Sequence, residues 1–279
     1  MRYVSFDKDG KASLAVQRGD KWFDIGGDLL SRLNADPDAL RMASSGGEEV
    51  DFATLKLLPP IGRPPKIICV GLNYADHAAE SPYKDVPSYP TLFGRFSTSL
   101  IAHGEPMIRP VLSEQLDFEG ELVAVIGRRA KNVSKADALD YVAGYSIFNE
   151  GSIRDYQFKA PQWTVGKNFD GTGAFGPVFV TADELPPGGA GLKIETRLNG
   201  AVVQSANTDD MIFKVADLVS IISEAITLEP GDVIVSGTPA GVGFARKPQL
   251  FMKEGDVCEV EIEKIGVLSN PVRNETAGA

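Results

Sequence analysis

Histidine, cysteine and tryptophan are the scarce residues of this 279-residue chain, with two of each. Cys69 and Cys258 sit in apolar or alternating, strand-like contexts, so they read as small buried hydrophobes, and a disulfide framework is excluded. No apolar run is long enough to span a bilayer, and Met1-Arg2-Tyr3-Val4-Ser5-Phe6-Asp7 lacks the uninterrupted apolar stretch of a signal peptide. A cytoplasmic location is therefore expected. Basic charge is also in deficit, with 28 Lys and Arg against 38 Asp and Glu and a net charge of -10. That balance argues against sequence-independent binding to nucleic acid or to anionic membrane. The expected partners are small molecules or further copies of the chain. There is no repeat and no low-complexity tract. With 43% hydrophobic and 24% charged residues, the composition is that of a globular protein able to bury a substantial core, as one large domain or one large plus one small.

The rarity of histidine makes the segment Gly71-Leu72-Asn73-Tyr74-Ala75-Asp76-His77-Ala78-Ala79-Glu80 informative. On a helical turn, positions i and i+3 share a face, so Glu80 can orient the His77 imidazole. Such a pair is the minimum equipment of a general base, although the same spacing also suits a surface or capping pair with no chemistry. The polar run from Asn73 through Ser81-Pro82-Tyr83-Lys84-Asp85-Val86-Pro87 has few apolar anchors and several breakers, which predicts that His77 and Glu80 ride on a mobile lid ordered by substrate.

The first sixty residues read as hairpins, with strands at 2–6 and 12–17, turns at Asp7-Lys8-Asp9-Gly10 and Arg18-Gly19-Asp20, and a short amphipathic segment at 29–33. Leu58-Pro59-Pro60-Ile61-Gly62-Arg63-Pro64-Pro65 then interrupts any regular element, because proline cannot donate to a ladder. It predicts a boundary between a small β-rich unit over 1–62 and a main domain over 63–279. Further strands are expected at 66–70, 122–126, 174–180, 192–198, 201–204, 233–236 and 257–262, with Asn199-Gly200 as a hairpin turn. Helical periodicity is confined to 134–141 and 214–225, so strands dominate.

Four segments concentrate polar chemistry. In Leu116-Asp117-Phe118-Glu119-Gly120-Glu121-Leu122-Val123, strand alternation puts Glu119 and Glu121 on one face. Adjacent carboxylates repel, so either a hard divalent cation such as Mg²⁺, Mn²⁺ or Ca²⁺ or a set of salt bridges is expected between them. Phe148-Asn149-Glu150-Gly151-Ser152-Ile153-Arg154-Asp155-Tyr156-Gln157 packs groups that are costly to desolvate unless they serve one another or a ligand. Ser152 as a helix N-cap is the plainer alternative. Gly166-Lys167-Asn168-Phe169-Asp170 brings a lysine into a glycine-rich loop without P-loop spacing, and Ser236-Gly237-Thr238-Pro239-Ala240-Gly241 offers backbone amides and a hydroxyl suited to a carboxylate.

Together, Gly71-x-Asn73-Tyr74-x-x-His77-x-x-Glu80, Asp117-x-Glu119-x-Glu121-Leu122, Ser152-x-Arg154-Asp155-x-Gln157, Gly166-Lys167-x-Phe169-Asp170 and Ser236-Gly237-Thr238-Pro239-x-Gly241 resemble, in order and spacing, the fumarylacetoacetate hydrolase family over roughly residues 66 to 273. The resemblance implies a strand-dominated α+β fold, the mixed β-roll of that family's C-terminal domain, usually as a homodimer. It implies Mg²⁺ or Mn²⁺ held by Glu119, Glu121 and Glu150. Most relatives have aspartate at the third place, and the extra methylene of Glu150 would push the metal outward or require a shifted backbone. In Leu92-Phe93-Gly94-Arg95-Phe96, many relatives carry a lysine, so Arg95 offers a planar fork where a point charge is usual, with consequences for recognition of a substrate carboxylate.

The activity implied is metal-dependent hydrolysis of the carbon–carbon bond of a 1,3-dicarbonyl acid, an acylpyruvate such as fumarylpyruvate or maleylpyruvate. The metal would act as a Lewis acid on the 2-oxo acid end. By analogy, Glu80 orients His77, which takes a proton from water, and Lys167 stabilises negative charge or protonates the departing enolate. Arg154 and Gln157 resemble residues that hold the oxyanion. Thr238 with Gly237 resembles a carboxylate-gripping loop, and Tyr74 and Arg95 join the substrate-binding set. The alternatives are a 2-oxo acid decarboxylase, hydratase or isomerase working through the same enolate, and, further off, a non-catalytic ligand-binding relative.

Overall fold

The computed structural model describes residues 1–42, 45–80 and 87–276. Residues 81–86, part of the expected lid, lie outside them. In chain order the strands are β1 (Arg2–Lys8), β2 (Lys11–Arg18), β3 (Lys21–Asp24), β4 (Glu48–Val50), β5 (Leu57–Leu58), β6 (Ile67–Gly71), β7 (Thr91–Arg95), β8 (Leu100–Ile101), β9 (Met107–Arg109) and β10 (Leu116–Asp117). They continue as β11 (Gly120–Ile126), β12 (Val142–Glu150), β13 (Ser152–Ile153), β14 (Gly173–Thr181), β15 (Lys193–Leu198), β16 (Ala201–Asn207), β17 (Val233–Val235), β18 (Val257–Ile262) and β19 (Gly266–Asn274). The helices are α1 (Leu29–Ala35), α2 (Ala75–Glu80), α3 (Arg154–Gln157) and α4 (Val215–Ala225).

Local chemistry explains the ends of these elements. Asp9 and Gly10 both sit at positive φ (55° and 80°) in the two-residue turn between β1 and β2, as do Asn199 and Gly200 (52° and 78°) between β15 and β16. Both are the primed hairpin turns whose twist matches the flanking strands. The Asp28 side chain caps α1 by accepting from the Ser31 N–H at 2.9 Å, and the helix buries Leu29 and Leu33.

The main sheet has the order β4-β3-β2-β1-β14-β12-β11-β17-β6-β7, with β5 on β1 and β8 on β14. A five-stranded sheet, β16-β15-β18-β19-β9, packs on the centre of the first through β11, β12 and β14. Along β11, Leu122, Ala124 and Ile126 enter the core shared with Ile194, Val260 and Leu268 of the second sheet, while Val123 and Val125 enter a second core with Leu14, Val16 and Leu33. A strand buried on both faces reads as a continuous apolar run rather than an alternating one, which is how β11 reads. Each such side chain stabilises the fold by about 1.5–3 kcal/mol.

Two expectations are amended here. The periodic segment at 134–141 forms only a 3-10 turn over Ala138–Tyr141. Ser152 is not a helix cap: it lies in β13 and its hydroxyl donates to the Glu150 carbonyl at 2.8 Å. The N-terminal strands join the main sheet, where β1 pairs with β14 at Arg2 opposite Val180, and Ile61 shares a core with Val123 and Phe179.

Candidate active site

The site forms where β6 and β12 end and β11 begins. Glu119 immediately precedes β11 and Glu121 lies in it, so pleating turns both side chains to the same side. Glu150 closes β12, aligned by its N–H donating to the Glu119 carbonyl at 2.8 Å. Carboxylate oxygens of these three buried residues lie within 4.8 Å of one another. Lys167, from the loop between α3 and β14, extends its Nζ to Glu119 Oε2 at 2.5 Å and Glu150 Oε2 at 2.9 Å, and Arg154 Nη2 lies 2.7 Å from Glu119 Oε1.

Charge is distributed unevenly among the three acids. For Glu119, burial raises the carboxyl, but Lys167 and then Arg154 outweigh it and hold the group well below the usual carboxylate range. Glu121 moves the other way: burial first, then repulsion from Glu150 and Glu119, raise it far above that range despite Lys167 and the Gly237 N–H that it accepts at 2.5 Å. Glu150 Oε1 is buried without a hydrogen-bond partner. An all-oxygen donor set short of positive charge fits a hard divalent cation such as Mg²⁺ or Mn²⁺. Cys69 lies beside these acids in β6, its thiol pushed up by burial and by the charges of Glu150 and Glu121, so it stays protonated.

His77 and Glu80, on α2, border the cleft. His77 Nδ1 is 3.8 Å from Glu80 Oε2, beyond hydrogen-bond length, and it is buried without a partner. Both Glu80 oxygens accept instead from the Gly241 N–H, at 3.1 and 3.0 Å. Burial raises the Glu80 carboxyl, but the imidazole and the Gly241 N–H leave it below its ordinary value. The entry into α2 passes through Leu72 at φ 58°, a left-handed conformation costly for a branched residue and typical of sites under functional constraint. Asn73 ties this entry to the threonine loop by donating to the Ser236 carbonyl at 2.7 Å and the Phe213 carbonyl at 2.9 Å.

Asp117 is the structural anchor. It accepts from the N–H groups of Gly243 at 2.8 Å and Phe244 at 2.9 Å and from Arg154 Nε at 2.8 Å, which leaves Arg154 Nη1 to donate to Gln157 Oε1 at 2.8 Å. Thr238 donates to the Gly120 carbonyl at 3.0 Å and accepts from Gln204 Nε2 at 2.9 Å. The walls are apolar: Trp163, Phe158, Phe244, Val70, Leu72 and Val242. Trp163 packs so closely on Gly71 that a Cβ there would stand 2.3 Å from the indole, which explains the glycine before α2.

Of the residues singled out in the sequence, the cleft brings together His77, Glu80, Glu119, Glu121, Glu150, Arg154, Gln157, Lys167 and Thr238. Gly237 lies behind it, with its N–H on Glu121. Tyr74 and Arg95 do not line it. Tyr74 is buried and lines a neighbouring cavity with Asp76 and Asp210, and Arg95 runs beneath Glu150. The sequence reading assigned nothing to Asp117 or Gln204, nor to the aromatic wall. Asp117 stood in a recognisable motif, whereas the hydrophobes carry no signal apart from their burial.

The family model described as "Fumarylacetoacetate (FAA) hydrolase C-terminal" matches residues 66–273. The protein named oxaloacetate tautomerase Fahd2a, mitochondrial, of Rattus norvegicus is 44% identical over 216 residues, covering 77% of this chain and 68% of its own. The solved fumarylacetoacetate hydrolase of Exiguobacterium antarcticum superposes with a TM-score of 0.86 at 35% identity, over 99% of this chain and 100% of that one. The 5-carboxymethyl-2-hydroxymuconate delta-isomerase of Mycobacterium smegmatis gives 0.81 at 32% identity, with the same coverage of both chains. No helix among the described residues is long and apolar enough to cross a membrane. By the match over three quarters of its length and the shared architecture, this chain belongs to the fumarylacetoacetate hydrolase family, whose members include enzymes.

Proposed function

We propose that the chain is a divalent-metal-dependent enzyme acting on a small 2-oxo acid through its enolate, and that its reaction is keto–enol tautomerisation of an oxaloacetate-like dicarboxylate. The observation that carries this is the state of the His77 and Glu80 pair. Glu80 is engaged by Gly241, and His77 Nδ1 has no hydrogen bond of its own, which suits an imidazole that exchanges a proton with the substrate itself. The relative named as an oxaloacetate tautomerase and the neighbour named as an isomerase support the same reading. So does the cleft, whose polar floor is closed over by Trp163, Phe158 and Phe244 and suits a short acid.

When bound by Glu119, Glu121 and Glu150, the cation would supply Lewis-acid polarisation of the 2-oxo acid end. The remaining work falls to the chain. In ketonisation the enol oxygen loses a proton and the neighbouring carbon gains one, with no skeletal bond broken and no water consumed. His77 delivers or removes the carbon-bound proton. Lys167, buried and cationic beside Glu119 and Glu150, stabilises negative charge on the enolate oxygen. Arg154 and Gln157, locked by Asp117, orient one end of the acid, and Thr238, which lines the cleft, faces the other. The aromatic wall excludes water from the enolate.

Hydrolysis of an acylpyruvate is the second reading, favoured by the same His77, Glu80 and Lys167 constellation and by the superposition on a fumarylacetoacetate hydrolase. A homodimer and a cytoplasmic location are proposed with it; the rat relative is named as mitochondrial. The test is product identity. Enol-oxaloacetate, oxaloacetate, fumarylpyruvate and maleylpyruvate are supplied to the Mn²⁺-loaded protein, and keto product, carbon dioxide and pyruvate are followed. Accelerated ketonisation without pyruvate supports the first reading, and pyruvate with a second acid replaces it by the second.

A further inference from the structure

We propose that Arg95 is the positioning residue for Glu150, holding the longer acid in place as a metal ligand; this rests on the metal-site reading above. Arg95 ends β7, opposite Ile67 of β6, and its side chain is fully buried. It reaches Glu150 because Gly173, which pairs with Glu150 across β12 and β14, has no side chain: a Cβ there would stand 2.6 Å from Arg95 Nε. Three contacts fix the guanidinium plane. Nε donates to Ser99 Oγ at 3.0 Å, and Nη2 donates to Thr172 Oγ1 at 2.7 Å and to the Gly151 carbonyl at 3.2 Å. Nη1 is left over. It is buried without a hydrogen bond and faces Glu150 Oε1, also without one, across 3.7 Å. Lys167 holds the other oxygen of the same carboxylate. Glu150 is therefore held between two cations, one on the cleft side and one beneath, and only a planar fork can use its other donors as anchors while presenting one edge to the acid. Arg95 does not line the cleft and its leftover Nη1 is turned to Glu150, so this placement replaces the substrate-recognition role expected from sequence.

The test is Mn²⁺ affinity without substrate, by calorimetry, alongside oxalate affinity and the melting temperature. Groups that orient a metal ligand typically govern about 10- to 100-fold in metal affinity. R95M is expected to weaken Mn²⁺ binding by at least about 10-fold, and R95K, which keeps the charge but loses the fork, by less. T172V, which removes one anchor of the guanidinium, is expected to weaken it a few-fold and carries the test if R95M does not fold. Wild-type Mn²⁺ affinity in R95K and T172V, with loss confined to oxalate binding or to melting temperature, would overturn the proposal. Failure of the wild-type protein to bind Mn²⁺ would overturn the metal reading itself, so the two failures are distinguishable.

Discussion

Two halves of the cleft floor are built on opposite principles. On one side Asp117 is saturated, with its oxygens taken by the N–H groups of Gly243 and Phe244 and by Arg154. On the other, Lys167 bonds Glu119 and Glu150 and leaves Glu121 without a cation of its own: burial and its acidic neighbours drive Glu121 toward its neutral form, and Glu150 Oε1 accepts no hydrogen bond. A saturated buried ion pair is scaffold, because every group is compensated by another group of the protein. An undersatisfied acid cluster lowers stability in return for function, because the missing compensation must come from a ligand.

Substitutions that separate stability from function can break this contrast. The largest stability effect is expected from Asp117→Ala, which breaks a buried ion pair, leaves Arg154 Nε and two N–H groups without an acceptor, and should cost about 3–5 kcal/mol in chemical denaturation. On the working side, His77→Ala should lower turnover by about 10²–10⁴-fold. Its Mn²⁺ affinity, read by calorimetry, should stay close to wild type, since the imidazole is not among the proposed ligands. Glu121→Gln should leave melting unchanged or raise it, because repulsion from Glu150 and Glu119 is relieved while a side-chain oxygen still accepts from Gly237. Its Mn²⁺ affinity should nevertheless fall by more than about 10-fold. A destabilised Glu121→Gln protein with intact Mn²⁺ binding would erase the distinction between the two halves.

The smallest effect lies away from the cleft, at the other histidine. Burial lowers the pKa of His103 below 6.5, and its Nδ1 accepts from the Ser269 N–H at 3.1 Å. On acidification through that ordinary value, the unfolded chain takes up the proton first, so stability falls as pH falls. The raised Glu121 carboxyl contributes the opposite slope, so the His103 contribution is read as the difference in melting temperature between wild type and His103→Asn across this range.

Local chemistry was readable from sequence and long-range placement was not. The hairpins declared themselves through Asp9-Gly10 and Asn199-Gly200, and the acids through two-residue spacing on a strand, because turns and pleats are set by neighbours in the chain. The joining of the N-terminal strands to the main sheet depends on Arg2 meeting Val180, a pairing that no local pattern encodes. Arg95 shows the same limit in the site. Its motif position suggested substrate recognition, but its destination is decided by the absent side chain of Gly173, far along the chain. The polar members of the cleft were legible because buried polar groups are costly and therefore conspicuous. The wall of Trp163, Phe158 and Phe244 was not, because an aromatic residue that lines a cleft looks in sequence like one that fills a core.

The most direct measurement is ketonisation of enol-oxaloacetate, followed by the loss of its ultraviolet absorbance, by wild-type, His77→Ala and Glu121→Gln proteins with Mn²⁺ and after chelation. The expected result is acceleration above the buffer rate by the Mn²⁺-loaded wild-type protein alone. Acceleration that survives chelation, or that persists at the wild-type rate without His77, would contradict the proposed division of labour between the acid cluster and the imidazole.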